Sequence, residues 1–281
     1  LRPGENPPSA AVFRILRYGS GFLFCARRES CHDSVMQEHP IRWFVTAPQA
    51  CPYLDDREMQ SLLVDPAVNL GGARYGQLLA EGFRRSGQFV YRHHCPTCTA
   101  CVPVRIPVAD FAPSRSQRRC LKRNHDLAVT ITRPPDQPGH APCADLDEHM
   151  PLFSRYLAHR HTGGGMERMG RDDYAGMLSH RNGPVDILEF RRDHALVAVA
   201  LTDRTPQGLS AMYSFFDPET PDRGLGTLAV LTQIAHARRL RLPHVYLGYW
   251  IDQAPKMAYK TRFRPIEGRV SGVWKRLTSR P

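Results

Sequence analysis

Val185-Asp186-Ile187-Leu188-Glu189-Phe190, then Ala195 to Thr202 and Gly208 to Phe216, form three short apolar runs separated by turn residues. Their β-branched and aromatic content and their length are those of strands. Leu225 to Leu240 follows, with Leu228, Leu231, Ile234 and Ala235 at the spacing of one helical face. His244 to Tyr249 then reads as another strand ending in an aromatic cluster. Strand, strand, strand, helix, strand, helix predicts a mixed sheet covered by helices.

Working outward, that order is similar to the core of the GNAT acyltransferases, so an α/β (α+β) fold with a GNAT-like core is expected over residues 143–281. Upstream, Asp145 to His159 reads as a helix and Pro134 to Pro142, with four prolines and a glycine, as a linker. A smaller, cysteine-containing N-terminal domain is expected over 36–133. In it, Ala73 to Ser86 has a helical stripe, Gln88 to Arg92 and Val102 to Val108 are strands, Pro113 to His125 is a basic helix, and Leu127 to Thr132 is a strand. Residues 1–35 hold Pro3, Gly4, Pro7, Pro8 and Ser9 without a sustained period. They are expected to be an unpacked extension, or to precede a true start at Met36.

The 281 residues are 42% hydrophobic and 23% charged, the balance of a globular chain that can bury a core. No run approaches the ~20 apolar residues of a membrane span, and the head lacks the ~7–15 residue apolar centre of a secretory signal. Eight cysteines are too few for a disulfide scaffold, so a reducing, cytoplasmic setting is expected. The formal charge is +11, and it is concentrated. Residues 84–125 hold nine Lys/Arg against one acid, and residues 238–281 hold eleven against two. Two basic blocks of that strength predict a polyanionic partner.

Four groups of residues can carry chemistry. Cys95, Cys98 and Cys101 stand at C-x-x-C-x-x-C spacing, which lets a backbone wrap one metal ion. Cys51, His93 or His94 would supply a fourth ligand; zinc, an iron–sulfur cluster and a metal-free thiol loop all remain open. Arg115, Arg118, Arg119, Lys122 and Arg123 share one broad helix face. Arg223-Gly224-Leu225-Gly226 precedes the long helix, where glycines let backbone N–H groups approach a phosphate. Tyr246 to Trp250 and Tyr259, between Lys256 and Lys260, offer rings for stacking and a hydroxyl for proton donation.

From Met36 to about Trp274 the chain resembles the bacterial aspartate/glutamate leucyltransferases, relatives of the arginyl-tRNA–protein transferases. The matching blocks are Cys51-Pro52-Tyr53-Leu54, Gly82-Phe83-Arg84-Arg85-Ser86-Gly87, Cys101-Val102-Pro103-Val104-Arg105 and Arg115-Ser116-Gln117-Arg118-Arg119. Ser214-Phe215-Phe216-Asp217-Pro218, Leu247-Gly248-Tyr249-Trp250-Ile251 and Lys256-Met257-Ala258-Tyr259-Lys260 follow in the same order. Asp55-Asp56 departs from the Pro-Gly common in that family, a change confined to a turn.

The resemblance implies a cytoplasmic enzyme of the N-degron pathway. It would move leucine from leucyl-tRNA to proteins beginning with Asp or Glu, by direct aminolysis, for downstream degradation machinery to take up. An arginyl-tRNA donor, a CoA-dependent acetyltransferase and a non-enzymatic RNA-binding module are the alternatives. On this reading Tyr259 is the leaving-group acid, and the Tyr249 strand end polarises the ester. Arg105, Arg118 and Arg119 hold the acceptor carboxylate. Arg84, Arg85, Arg115, Lys122, Arg123, Lys256 and Lys260 hold tRNA. Cys51, Cys95, Cys98 and Cys101 form the metal set, with no cofactor needed for the chemistry itself.

Overall fold

The computed structural model describes residues 14–15, 41–133, 145–160, 165–179 and 181–277. The first part of the chain gives β1 (Arg14–Ile15), β2 (Trp43–Val45), β3 (Gln49–Ala50), β4 (Glu58–Met59), β5 (Ser61–Val64) and α1 (Gly71–Ala80). Then come β6 (Arg84–Ser86), β7 (Phe89–His93), β8 (Val102–Pro107), α2 (Arg115–Arg123), β9 (Ala128–Thr132), α3 (Leu146–Arg160) and α4 (Arg171–Met177). The rest gives β10 (Val185–Arg192), β11 (Ala195–Thr205), β12 (Gly208–Phe216), α5 (Leu225–Arg239), β13 (His244–Trp250), β14 (Glu267–Val270) and β15 (Val273–Arg276).

Strands β10, β11 and β12 form the antiparallel meander at the centre of an eight-stranded sheet ordered β15-β14-β8-β13-β12-β11-β10-β9. The β10–β11 turn places Asp193 and His194 at positive φ, the mirror-image geometry that matches the twist of a tight hairpin. The apolar runs are nearly continuous because both faces of the meander are covered. Ile187, Val199, Leu201 and Phe215 pack under α3 and α4 with Phe153 and Tyr174. Leu188, Phe190, Ala198 and Ala200 pack on the other face with Leu225 and Leu228 of α5 and Cys120 of α2. The result is a three-layer arrangement, helices on both sides of a mixed sheet.

After α5 the chain re-enters as β13, parallel to β12, but the pairing is brief. It holds at Leu209↔Val245 and Ser210↔Tyr246 only. Beyond that the two strands part, while β13 continues along β8 with an irregularity between Tyr246 and Gly248. The wedge between β12 and β13 is the central feature of the molecule.

A second, five-stranded sheet ordered β1-β2-β5-β7-β6 carries the smaller unit. Helix α1 ends earlier than the stripe from Ala73 to Ser86 suggests. Gly82 takes φ +85°, Gly82 N donates to Leu79 O, and Phe83 N donates to Leu78 O, a Schellman stop that releases β6. A buried carboxylate anchors the small unit on the large sheet: Asp203 of β11 accepts from Tyr75 of α1 and Arg85 of β6.

Three other expectations differ from what is found. The large sheet draws β8 and β9 from residues below 133, so the division at 133–143 is not a boundary in space. The segment after β13 is a run of 3-10 turns, Pro255–Arg262, followed by the β14–β15 hairpin rather than a helix. Of residues 1–35, Arg14 and Ile15 pair with Val45 and Phe44, so this part of the head joins the small sheet. The expected linker Pro134 to Pro142 lies outside the described residues. Among the described residues no helix is long and apolar enough to cross a membrane.

Candidate active site

The wedge is occupied by Arg84. Strand β6 alternates, so consecutive arginines point to opposite faces. Arg85 goes to Asp203, with Nη2 at 2.5 Å from Oδ1, and Arg84 goes between the parted strands. Its Nη2 lies 3.5 Å from Met212 O on β12. Its guanidinium lies 5.9 Å from the Tyr249 ring on β13 and against Gly248. A Cβ on Gly248 would sit 2.2 Å from Arg84 Nη1, and the φ of +76° at Gly248 favours glycine. Tyr91, Tyr249 and Tyr53 stand within electrostatic reach of the guanidinium.

Tyr249 is sealed, 2% exposed, and its hydroxyl donates to Gly82 O at 3.1 Å while accepting weakly from His93 N at 3.4 Å. Burial raises its pKa. The Tyr249 hydroxyl is therefore committed to fastening β13 to the small unit, whereas the expectation for this strand end concerns its backbone N–H groups. The His93 ring packs on Tyr249 at 4.6 Å between centroids, and burial with the nearby Arg84 charge lowers its pKa to about 4, so it is neutral at pH 7. Among the described residues His93 Nε2 is buried without a hydrogen-bond partner.

Lys260 is 5% exposed and its ammonium donates to Tyr249 O, an acceptor that β12 leaves unpaired. Burial first, then the Arg84 charge, lowers its pKa to about 7. A phosphate contact is closed to this buried nitrogen. The same holds for Arg85, which is 2% exposed and locked to Asp203. Tyr259, beside Lys260, is 40% exposed, and its hydroxyl makes no hydrogen bond among the described residues. It is free to meet a ligand.

Arg105 also has internal partners. Its Nε pairs with Glu267 at 2.7 Å and its guanidinium stacks over Trp274 at 4.2 Å, which leaves it poorly placed for an acceptor carboxylate. Arg115, Arg118, Arg119, Lys122 and Arg123 lie exposed on α2, as Lys256 does on the 3-10 segment. Ser114 and Gln117 start α2 with a reciprocal capping box, and Gln117 Nε2 donates to Arg262 O. That anchor fixes the basic face toward solvent.

Helix α2 also covers the amino end of α5. Cys120 Sγ lies 3.5 Å from Gly224 O, Asn124 Nδ2 donates to Arg223 O at 2.8 Å, and Arg223 pairs with Asp126. Helix α2 thus packs against the carbonyl side of the Arg223-Gly224 turn.

The four cysteines gather around Cys101. Burial, reinforced by Cys95, Cys51 and Cys98, raises its pKa to about 12. Cys95, Cys98 and Cys101 line a cavity of about 360 Å³ with His93 and Tyr249. Among the described residues, however, no three His, Cys, Asp or Glu side chains stand in an arrangement that would hold a metal ion. As placed, the thiols are neighbours rather than a ligand set, and the chemistry below takes no step through a metal.

Two family models cover most of the described chain. The model for the N terminus of arginine-tRNA-protein transferases matches residues 49–119, and the model for their C terminus matches 148–269. The chain belongs to the arginine-tRNA-protein transferase family. Within that family its relatives include proteins named aspartate/glutamate leucyltransferase. The one from Saccharophagus degradans is 43% identical over 83% of this chain and 96% of its own length. That from Thiobacillus denitrificans is 45% identical over 84% and 95%. That from Stenotrophomonas maltophilia is 46% identical over 85% and 94%. The family's two matched segments meet in space at the wedge, one bringing Arg84 and the other Gly248 and Lys260.

Proposed function

We propose that this chain transfers leucine from leucyl-tRNA to the N-terminal α-amine of proteins that begin with Asp or Glu, which makes it an aminoacyltransferase feeding protein degradation. The observation that carries this reading is the 43–46% identity to aspartate/glutamate leucyltransferases over at least 94% of their length.

The physical arrangement supports it. A leucyl ester is already activated, and an acceptor α-amine with a pKa of about 7.7–8.0 is partly neutral near pH 7. Holding the two together can supply roughly 7–11 kcal/mol of the barrier without a protein nucleophile. The exposed cations of α2 suit the phosphates of an acceptor stem. The free Tyr259 hydroxyl suits the departing ribose oxygen.

One assay tests the reading: radiolabelled Leu-tRNA and Arg-tRNA, each offered with peptides beginning Asp, Glu or Lys. Leucine on Asp and Glu peptides only is expected. Transfer of arginine to the same peptides would move the donor assignment and keep the acceptor. Binding of tRNA regardless of aminoacylation, without transfer, would leave an RNA-binding module.

A further inference from the structure

We infer that Arg84 reads the acidic side chain of the acceptor, an assignment that rests on the transferase reading above. The charges around the wedge are unbalanced. Arg85 has Asp203, Arg105 has Glu267, Arg191 has Glu148 and Glu189, and Arg223 has Asp126. Arg84 has no carboxylate partner among the described residues. Among the described residues its Nε is buried without a partner, and the hydrogen bond it makes, to Met212 O, is long at 3.5 Å. A guanidinium is costly to desolvate unless an anion answers it, and the described residues supply none here.

The surroundings say what kind of anion fits. Part of the residue reaches solvent, while the guanidinium is enclosed in a narrow recess lined by Phe83, Pro103, Gly248 and Tyr249 that must widen to admit a ligand. The guanidinium is otherwise bounded by Gly248, the Tyr249 ring and the β12 backbone. A free Nε beside a lightly engaged Nη2 is a two-donor fork, the geometry that takes a carboxylate through two parallel bonds. A phosphodiester would offer the same oxyanion chemistry. The recess favours a carboxylate on a short side chain, whereas the cations suited to a nucleic-acid backbone are the exposed ones on α2. The acceptor amine would then lie near the parted ends of β12 and β13, beside Lys260 and the free hydroxyl of Tyr259. Asp and Glu differ by one methylene, which a recess that widens on binding can accommodate; Asn and Gln lack the charge.

The experiment compares wild type, Arg84→Gln and Arg84→Lys in two formats. In the first, peptides beginning Asp, Asn, Glu or Gln are titrated by fluorescence anisotropy, which needs no transfer. In the second, kcat/KM is measured with saturating leucyl-tRNA, alongside leucyl-tRNA affinity across a salt series. Arg84→Gln should cut the Asp-over-Asn preference by roughly tenfold to a hundredfold, the range expected when a charge-assisted pair is removed. Arg84→Lys should restore part of it, and tRNA affinity and its salt slope should be unchanged.

Asp preference that survives in folded Arg84→Gln overturns the inference. So does a flattened tRNA salt slope with the preference intact, which would make the anion a tRNA phosphate. If wild type fails to transfer leucine but binds Asp peptides through Arg84, the functional reading falls and the inference stands. If transfer works while Arg84 is irrelevant to preference, the reverse holds. A wild type that binds Asp and Asn peptides equally refutes the inference outright.

Discussion

Arg85 Nη2 and Asp203 Oδ1 meet at 2.5 Å, the arginine from the small sheet and the aspartate from the large one, both shut off from solvent. Arg85 Nε also reaches both Asp203 oxygens, its Nη1 donates to Gly87 O and its Nη2 to Met177 O, and Tyr75 adds a hydroxyl to Asp203. The pair locks β6 in place, and β6 carries Arg84 into the wedge on its other face.

Breaking one half of that clasp should therefore be worse than replacing both. Removing one partner of a buried ion pair typically costs about 3–5 kcal/mol, because the survivor is left charged and dry. Arg85→Ala and Asp203→Ala should each lower the chemical-denaturation stability on that scale. A double replacement by apolar residues of similar volume should recover a large part of it. Equal losses in single and double variants would mean that packing, not charge, holds the junction.

The exposed face of α2 makes a separate demand. Arg115→Ala, Arg119→Ala and Lys122→Ala leave the capping box, the Gln117 anchor and the buried Cys120 untouched. Each should fold like wild type. A variant that no longer neutralises its phosphate should show a slope of log affinity against log salt shallower by just under one unit, whichever peptide is present. A loss of Asp preference in one of them, with tRNA binding intact, would move the acceptor site to the surface.

These two cases show where sequence and structure part company. The β10–β12 meander, α5 and β13 are legible because apolar runs and turns record burial directly. The place of β8 is not, since alternation reports a half-buried strand without naming its neighbour, and β8 turns out to bridge β13 and β14. Strands β14 and β15 escape notice because Glu267 to Arg276 is short, polar and glycine-bearing. Of Arg84-Arg85, the alternation alone predicts opposite faces. Which of the two meets Asp203, more than a hundred residues away, depends on the register of β6, and no local pattern fixes that. Lys260 misleads for the same reason: a lysine between polar neighbours reads as surface until Tyr249 O is seen above it.

The thiol cluster offers a measurement that separates its two readings. With its pKa at about 12, Cys101 has roughly a thousandfold less thiolate at pH 8 than an ordinary cysteine near 8.5. In chelator-treated native protein, Cys101 should alkylate about that much more slowly than in the unfolded chain. Cys98→Ser should leave the stability of the small unit nearly unchanged. If instead all four cysteines are protected together and zinc or iron is released stoichiometrically on denaturation, they are ligands, as their spacing suggests, and Cys98→Ser should lose both metal and stability.

Lys260 makes stability depend on pH with a definite sign. Its pKa in the folded chain is about 7, below the ordinary lysine value near 10.4 that the unfolded chain regains. Between those values the unfolded state holds a proton that the folded state has released. Unfolding then takes up a proton, so this group's contribution to stability rises with pH across the window. Below about pH 7 both states are protonated and the cost of burying the ammonium is present in full. Lys260→Met removes the titration and also the bond to Tyr249 O, a loss that does not vary with pH. The difference in unfolding free energy between wild type and Lys260→Met should therefore move in favour of wild type from pH 6 to pH 9, with other titrating groups cancelling between the two proteins. A difference that stays flat over that range would show that Lys260 keeps its proton in the folded state. It would then be a second fixed cation beside Arg84.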